Sequence, residues 1–197
     1  MNKKKAKDIG LTCVSLLILI GLWVLVSNSR PDFFPTPQAT WERFMKMIER
    51  PISKTTVAGH VLISLKRVLI ALVIAVISGV GIGLVIGWNK KINAVLNPLL
   101  TALRPIPPIA WIPLVILWFG VGEFPKILLV FIGSFFPVVL NTATGVSMVD
   151  PMYLNVGHIY KANTFQMLRH VVFPAAMPAI MAGIKIALSS GWMVVVA

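Results

Sequence analysis

The chain is 197 residues long, 57% hydrophobic and 12% charged, with a formal net charge of +12 at pH 7. That balance excludes an ordinary water-soluble globule, because too few polar side chains remain to cover its surface. About 20 apolar residues cross the hydrocarbon as a helix, and several runs meet or approach that length, so the expected fold is an all-α polytopic transmembrane bundle. Cys13 lies in the first apolar run and is the single cysteine. Neither an intramolecular disulfide nor a cysteine-based metal site is available.

Residues 9–26 form the first apolar run, preceded by Lys3, Lys4, Lys5 and Lys7. The run is longer than a typical signal-peptide core, and Ser27-Asn28-Ser29-Arg30 is a poor cleavage site, so a retained anchor is expected. Thr36 is a plausible N-cap for a short helix over 37–50, with Trp41, Phe44, Met45 and Ile48 at i, i+3, i+4 and i+7. That pattern suits an amphipathic helix lying at the interface. Residues 1–66 are accordingly read as an anchor span plus this helix, and 67–197 as the core.

The second span is expected over 68–88, where Gly79, Gly83 and Gly87 recur on one face. Small residues at this spacing let helices approach closely in lipid, which favours a packing seam over a substrate site. Residues 92–120 carry Pro98, Pro105, Pro107, Pro108 and Pro113, and so many missing donors predict a broken helix. Irregular backbone at membrane depth must be buried in protein or line a wet cavity, so this segment should face a pathway or a partner subunit. A turn at 121–126 leads to a fourth span over 127–149, and a fifth is expected over 175–197. The fifth runs to the last residue without a stop signal, so a sixth helix beyond it is expected.

Lysine and arginine favour cytoplasmic loops. An N-terminus inside puts Lys3, Lys4, Lys5, Lys7, Lys90, Lys91, Lys161 and Arg169 in the cytoplasm. It leaves Arg30, Arg43, Lys46, Arg50, Lys54, Lys66, Arg67 and Lys126 outside, diluted by Asp32, Glu42, Glu49 and Glu123. The expected N-terminus is cytoplasmic.

The polar interruption at 150–174 has its own local grammar. Asp150 can cap a helix whose first residue is Pro151, and Asn163-Thr164 can restart a second short helix that ends near His170 before Pro174 stops it. A pair of short helices here serves either as an interfacial rest or as a docking element for another subunit.

In this segment the sequence resembles the permease subunits of bacterial ABC importers, specifically the nitrate, sulfonate, taurine and bicarbonate branch. Those permeases carry a cytoplasmic loop with a Glu-Ala-Ala start, a Gly six residues after the Glu, and a Val-x-x-Pro close. Val171-Val172-Phe173-Pro174 matches the close. Asn155, Val156 and Gly157 then fall at the Glu-Ala-Ala positions, and Lys161 falls at the glycine. The likeness continues through LRPIPPIAWIPLVILWFGVGE at 103–123, FFPVVLNTATGV at 135–146 and FPAAMPAIMAGIKIALSSGW at 173–192. It covers nearly the whole chain from Phe34 onward.

The resemblance implies a multi-pass inner-membrane permease with no cofactor of its own. Two permease copies, identical or divergent, would form the pore, and an extracytoplasmic binding protein would deliver cargo. A cytoplasmic ATP-binding subunit would hydrolyse ATP and receive the loop. The docking residues so implied are Leu154, Asn155, Val156, Gly157, His158, Ile159, Lys161 and Ala162, and Asp at Leu154 or Ile159 should uncouple transport. Candidate pathway residues are Arg104, Pro107, Pro108, Asn141, Thr142, Lys185 and Ser189. The two cations could attract an anion, with snorkelling to headgroups as the competing role for Arg104. Thr144 and Ser190 are further polar groups within spans.

The rival class is an ion-coupled secondary transporter, which usually needs an ionisable relay at mid-membrane. All six acidic residues and His60, His158 and His170 lie outside the apolar runs. No paired carboxylates, metal-ligand spacing or phosphate-binding loop supports an enzyme. The lysines are dispersed over loops, which fits lipid headgroups better than nucleic acid.

Overall fold

Backbone groups have no water to bond in lipid, and this chain satisfies them with helices throughout its apolar runs. The structure, a computed structural model, describes residues 3–29, 33–49 and 55–196. In chain order the helices are α1 (Lys3–Ser29), α2 (Pro37–Glu49), α3 (Val57–Trp88), α4 (Lys90–Leu103), α5 (Ile112–Phe119), α6 (Glu123–Ser147), α7 (Pro151–Ile159), α8 (Thr164–Met167) and α9 (Phe173–Val196). A 3-10 turn, Pro108–Trp111, precedes α5, and a π-helical turn, Leu168–Val172, joins α8 to α9. Among the described residues four helices are long and apolar enough to cross a membrane, or five if the bent pair α4 and α5 is one span. The protein is an all-α, multi-span membrane protein. Arg30, Asp32, Arg50 and Lys54, which enter the charge balance, and Ala197, at the end of the fifth span, lie outside the described residues.

The chain divides into two units, Met1–Val61 and Leu62–Ala197. In the first, Trp23 Nε1 and Ser27 Oγ of α1 both donate to Pro35 O, at 3.0 and 3.1 Å, which ties the chain entering α2 to the end of α1. Thr36 caps α2 as expected, its Oγ1 accepting from Ala39 N at 3.2 Å. Trp41, Phe44, Met45 and Ile48 are all exposed, consistent with an apolar face turned to lipid.

In the second unit α6 is the packing centre. Lipid tails are as apolar as leucine, so helices associate through close contact and not through hydrophobicity. The glycine seam on α3 provides that contact. A Cβ on Gly79 would lie 2.9 Å from Val138 Cγ1, one on Gly83 2.6 Å from Thr142 Cβ, and one on Gly87 2.6 Å from Ala143 O. The opposite side of α6 meets α9 in the same way. Gly183 approaches Asn141 Cβ so that a Cβ there would lie at 2.8 Å, and Gly191 would reach Ser134 Oγ at 2.7 Å. Ser134 Oγ donates to Ala187 O at 3.1 Å across this buried seam.

The broken third segment is present. Pro98 lies inside α4, and α4 and the turn leading to α5 meet at 90°. Gly120 closes α5 with φ of 72°, a left-handed value that favours glycine.

The expected fourth and fifth spans need moving. Helix α6 starts at Glu123, because the run of 123–126 continues into the apolar helix without a breaker, and Pro125 is tolerated in the first helical turn. The last span begins at Thr164, and an unbroken helical path runs from there to Val195. Pro174 therefore does not stop it. The π turn immediately before the proline bonds Phe173 N to Leu168 O, five residues back. Such a local widening lets a helix pass a residue that lacks a donor and crowds the preceding turn.

Candidate coupling element and membrane cavity

Helix α7 is a short rigid body fixed at both ends. Asp150 Oδ1 accepts from Met152 N at 2.7 Å, and Pro151 occupies the first helical position. At the other end Ala162 N donates to Gly157 O at 3.0 Å and Lys161 N to His158 O at 2.9 Å. This pair of bonds is a Schellman ending, with Lys161 in the left-handed position at φ 52°. Asn163 and Gln166 then form a reciprocal capping box, at 2.9 and 2.8 Å, that starts α8 one residue later.

The seat of α7 is the start of the last span. Gly157 is buried, and a Cβ there would lie 2.5 Å from Met167 Sδ. Leu154 and Ala162 pack against a cluster of Val146, Met167, Val172, Ala176 and Ile180. Of the residues expected to dock a partner, Leu154, Gly157 and Ala162 thus point inward and hold α7 on the bundle. Asn155, Val156, His158, Ile159 and Lys161 are exposed. Ile159 is 77% and Tyr160 81% exposed, a degree that sets them apart from the seat. Met152, Tyr153 and Tyr160 extend this exposed side, and helical periodicity from Val156 and Ile159 is the signal that could have found Met152.

A cavity of about 780 Å³ opens between the proline break, α6 and α9. Its size lies in the range of small-molecule sites. Four expected pathway residues, Arg104, Pro107, Pro108 and Asn141, line it. Among its lining residues Arg104 alone is charged, and it sits at the C-terminal end of α4, donating its backbone N–H to Leu100 O at 2.9 Å. Asn141 Nδ2 donates to Pro137 O at 2.8 Å. Pro137 itself has no N–H to offer Gly133, another lining residue.

Three expected pathway residues are elsewhere. Thr142 is fully buried against Gly83, in the seam between α6 and α3, and its Oγ1 has no partner among the described residues. Lys185 and Ser189 are exposed and do not line the cavity. The reason is helical phase. Gly183, Ala187 and Gly191 face α6, Ile186, Ser190 and Met193 fall on the flank beside the cavity, and Lys185 and Ser189 fall behind. Thr144 and Ser190 supply the polar groups instead, and the spacing of the glycines on the last span was the signal that could have ranked them.

Residues 79–197 match the family described as binding-protein-dependent transport system inner membrane component. The chain belongs to this family. It is 32% identical to the taurine transport system permease protein TauC of Escherichia coli, over 98% of this chain and 71% of that protein. It is 31% identical to the bicarbonate transport system permease protein CmpB of Synechococcus elongatus, over 99% and 73%. A putative ABC transporter permease of Methanocaldococcus jannaschii is 31% identical, over 100% of this chain and 77% of that protein. The chain is a permease subunit of an ABC-type importer and forms the membrane transport pathway. It is not itself the catalyst, since ATP hydrolysis belongs to a separate ABC ATPase.

Proposed function

We propose that cargo crosses through the cavity beside Arg104, and that α7 couples this pathway to a cytoplasmic ATP-binding subunit. One observation carries the reading: a single helical path links the two. Met167, under α7, and Ser190, on the cavity wall, lie on the same path from Thr164 to Val195. They are separated by about 35 Å at 1.5 Å per residue. A force on α7 reaches the cavity wall through that rod without crossing a loop.

The relatives named for taurine, a zwitterion with a sulfonate, and for bicarbonate support a small cargo that carries an anionic group. The cavity suits one, with apolar walls, a few hydrogen-bonding groups and one guanidinium. A second permease copy would complete the pore, an extracytoplasmic binding protein would deliver the cargo, and the N-terminus would face the cytoplasm with α7. Ion-coupled carriage is the less supported class, because no acidic or histidine side chain lines the cavity.

The test is Ile159→Asp, which alters an exposed side chain without touching the seat. ATPase association and ATP-driven uptake in proteoliposomes should be lost while membrane insertion is retained. Leu154→Asp is the poorer probe, because it buries a charge in the seat and destabilises the bundle. Uptake by the Ile159 variant at the wild-type rate, or uptake driven by an ion gradient without ATP, would refute the reading.

A further inference from the structure

Among the described residues Lys161 is the non-glycine residue with positive φ. It closes α7 where glycine is the ordinary choice, because a Cβ crowds the backbone in the left-handed region. The Schellman bonds that end α7 hold its backbone there, but the bundle offers its side chain no partner among the described residues. Lys161 is exposed, and among the described residues neither ion pair involves its amine. A residue held in so sparsely populated a conformation points to an interaction outside the fold.

The surroundings give the sign of that interaction. Lys161 and Arg169 are both exposed along 150–170. The one carboxylate of the segment, Asp150, is engaged in capping α7. Trp88 packs against the same cluster as Leu154 and Ala162, and Lys90 and Lys91 come directly after it at the start of α4. This end of the bundle is therefore one-sidedly basic.

We propose that Lys161 is a partner-contact residue whose ammonium pairs with an acidic side chain in the ATP-binding subunit's groove for α7. The inference rests on the proposed coupling through α7 and adds the chemistry of the groove. Lipid phosphate is the weaker occupant. Mobile headgroups accept a lysine from any backbone geometry, whereas a fixed carboxylate rewards a cation held in one direction.

The experiment places the full chain in nanodiscs with the purified ATP-binding subunit of the same transporter and measures association for wild type, Lys161→Gly, Lys161→Gln and Lys161→Arg. Glycine relieves the backbone and leaves α7 at least as well formed, so a loss there reports the charge. Binding should weaken about tenfold for the Gly and Gln variants, with a shallower salt dependence, and stay near wild type for Arg. The loss should be equal in discs of neutral and of anionic lipid. Wild-type affinity in the Gly and Gln variants would overturn the proposal, and a loss confined to anionic discs would overturn it by assigning the lysine to headgroups. Failure of the wild type itself to bind would overturn the coupling through α7, and it would be visible before any substitution is compared.

Discussion

Gly81 and Gly83 lie two residues apart on α3, and the same substitution should have opposite effects at the two sites. A Cβ at Gly81 meets nothing within 4 Å, whereas one at Gly83 would lie 2.6 Å from Thr142 Cβ and 2.8 Å from Val139 O. The second of these is backbone and cannot swing aside, so α3 must retreat from α6. Ordinary carbon contacts lie near 3.5–4.0 Å, and a retreat of about 1 Å gives up about half of the dispersion well along the seam. Overpacking of this kind costs about 1–3 kcal/mol. Both variants gain the same ~1 kcal/mol of helix propensity from Gly→Ala, so it cancels in their difference. The expected gap is about 2 kcal/mol, or about 4–8 °C in apparent melting temperature at this chain length. Thermal unfolding of the two purified variants in one detergent measures it. Midpoints within a degree of each other would refute the seam as the contact that holds α3 to α6.

Thr142→Val keeps the shape of a buried side chain and removes a hydroxyl without a partner among the described residues, so stability should rise by about 1 kcal/mol with uptake unchanged; a fall in uptake would return Thr142 to the pathway. Ser190→Leu should sharply reduce uptake, measured with labelled cargo in proteoliposomes, while Ser189→Leu should leave it near wild type, because Ser190 alone of the two lines the cavity. Arg67 donates three bonds to Glu123, from Nη2 to Oε2 and Oε1 at 2.8 and 3.0 Å and from Nε to Oε2 at 3.2 Å, from a side chain 13% exposed. Arg67→Ala should cost about 1 kcal/mol at most, since Glu123 is solvated, and Lys126→Ala, which opens a bridge exposed on both sides, should not move the melting temperature measurably.

Local chemistry was legible in the sequence. Asp150 and Pro151 are a favoured N-cap and first-position pair and start α7 as such, and Asn163 with Gln166 forms its capping box from residues three apart. The proline-dense third segment had to break, and it does. The expectation that Lys161 stands where a glycine is usual also matches its φ of 52°. Tertiary phase was not legible in the same way. Thr142 and Asn141 are neighbours in sequence, yet one is sealed against Gly83 and the other borders the cavity. Only the partner helices decide which is which. Leu154 is apolar and lies on the loop helix, which suggests docking, and the cluster under α7 claims it instead. The pairing of Arg67 with Glu123 spans 56 positions, a distance over which no local pattern informs.

Pro174 demonstrates how a local rule yields to its surroundings. A proline inside a helix costs about 3 kcal/mol in an ordinary α geometry, and a chain free to stop there would stop. Here both flanks are held: Met167 is clamped under Gly157, and Ala176 and Ile180 are buried in the same cluster. Breaking the helix would expose that cluster and detach α7 from the span. Widening one turn instead keeps the two flanks on a common axis. A π turn amounts to one extra residue absorbed without rotating the helix beyond it, whereas an extra residue in α geometry would turn that helix by about 100°. At that angle Ser190 would leave the cavity for the place of Gly191 in the seam with α6, and Lys185 and Ser189 would come round to the cavity flank that Ile186 and Ser190 now occupy. The π turn at Leu168–Val172 thus sets the phase between the seat of α7 and the wall of the cavity, and that phase is what allows one rod to serve both.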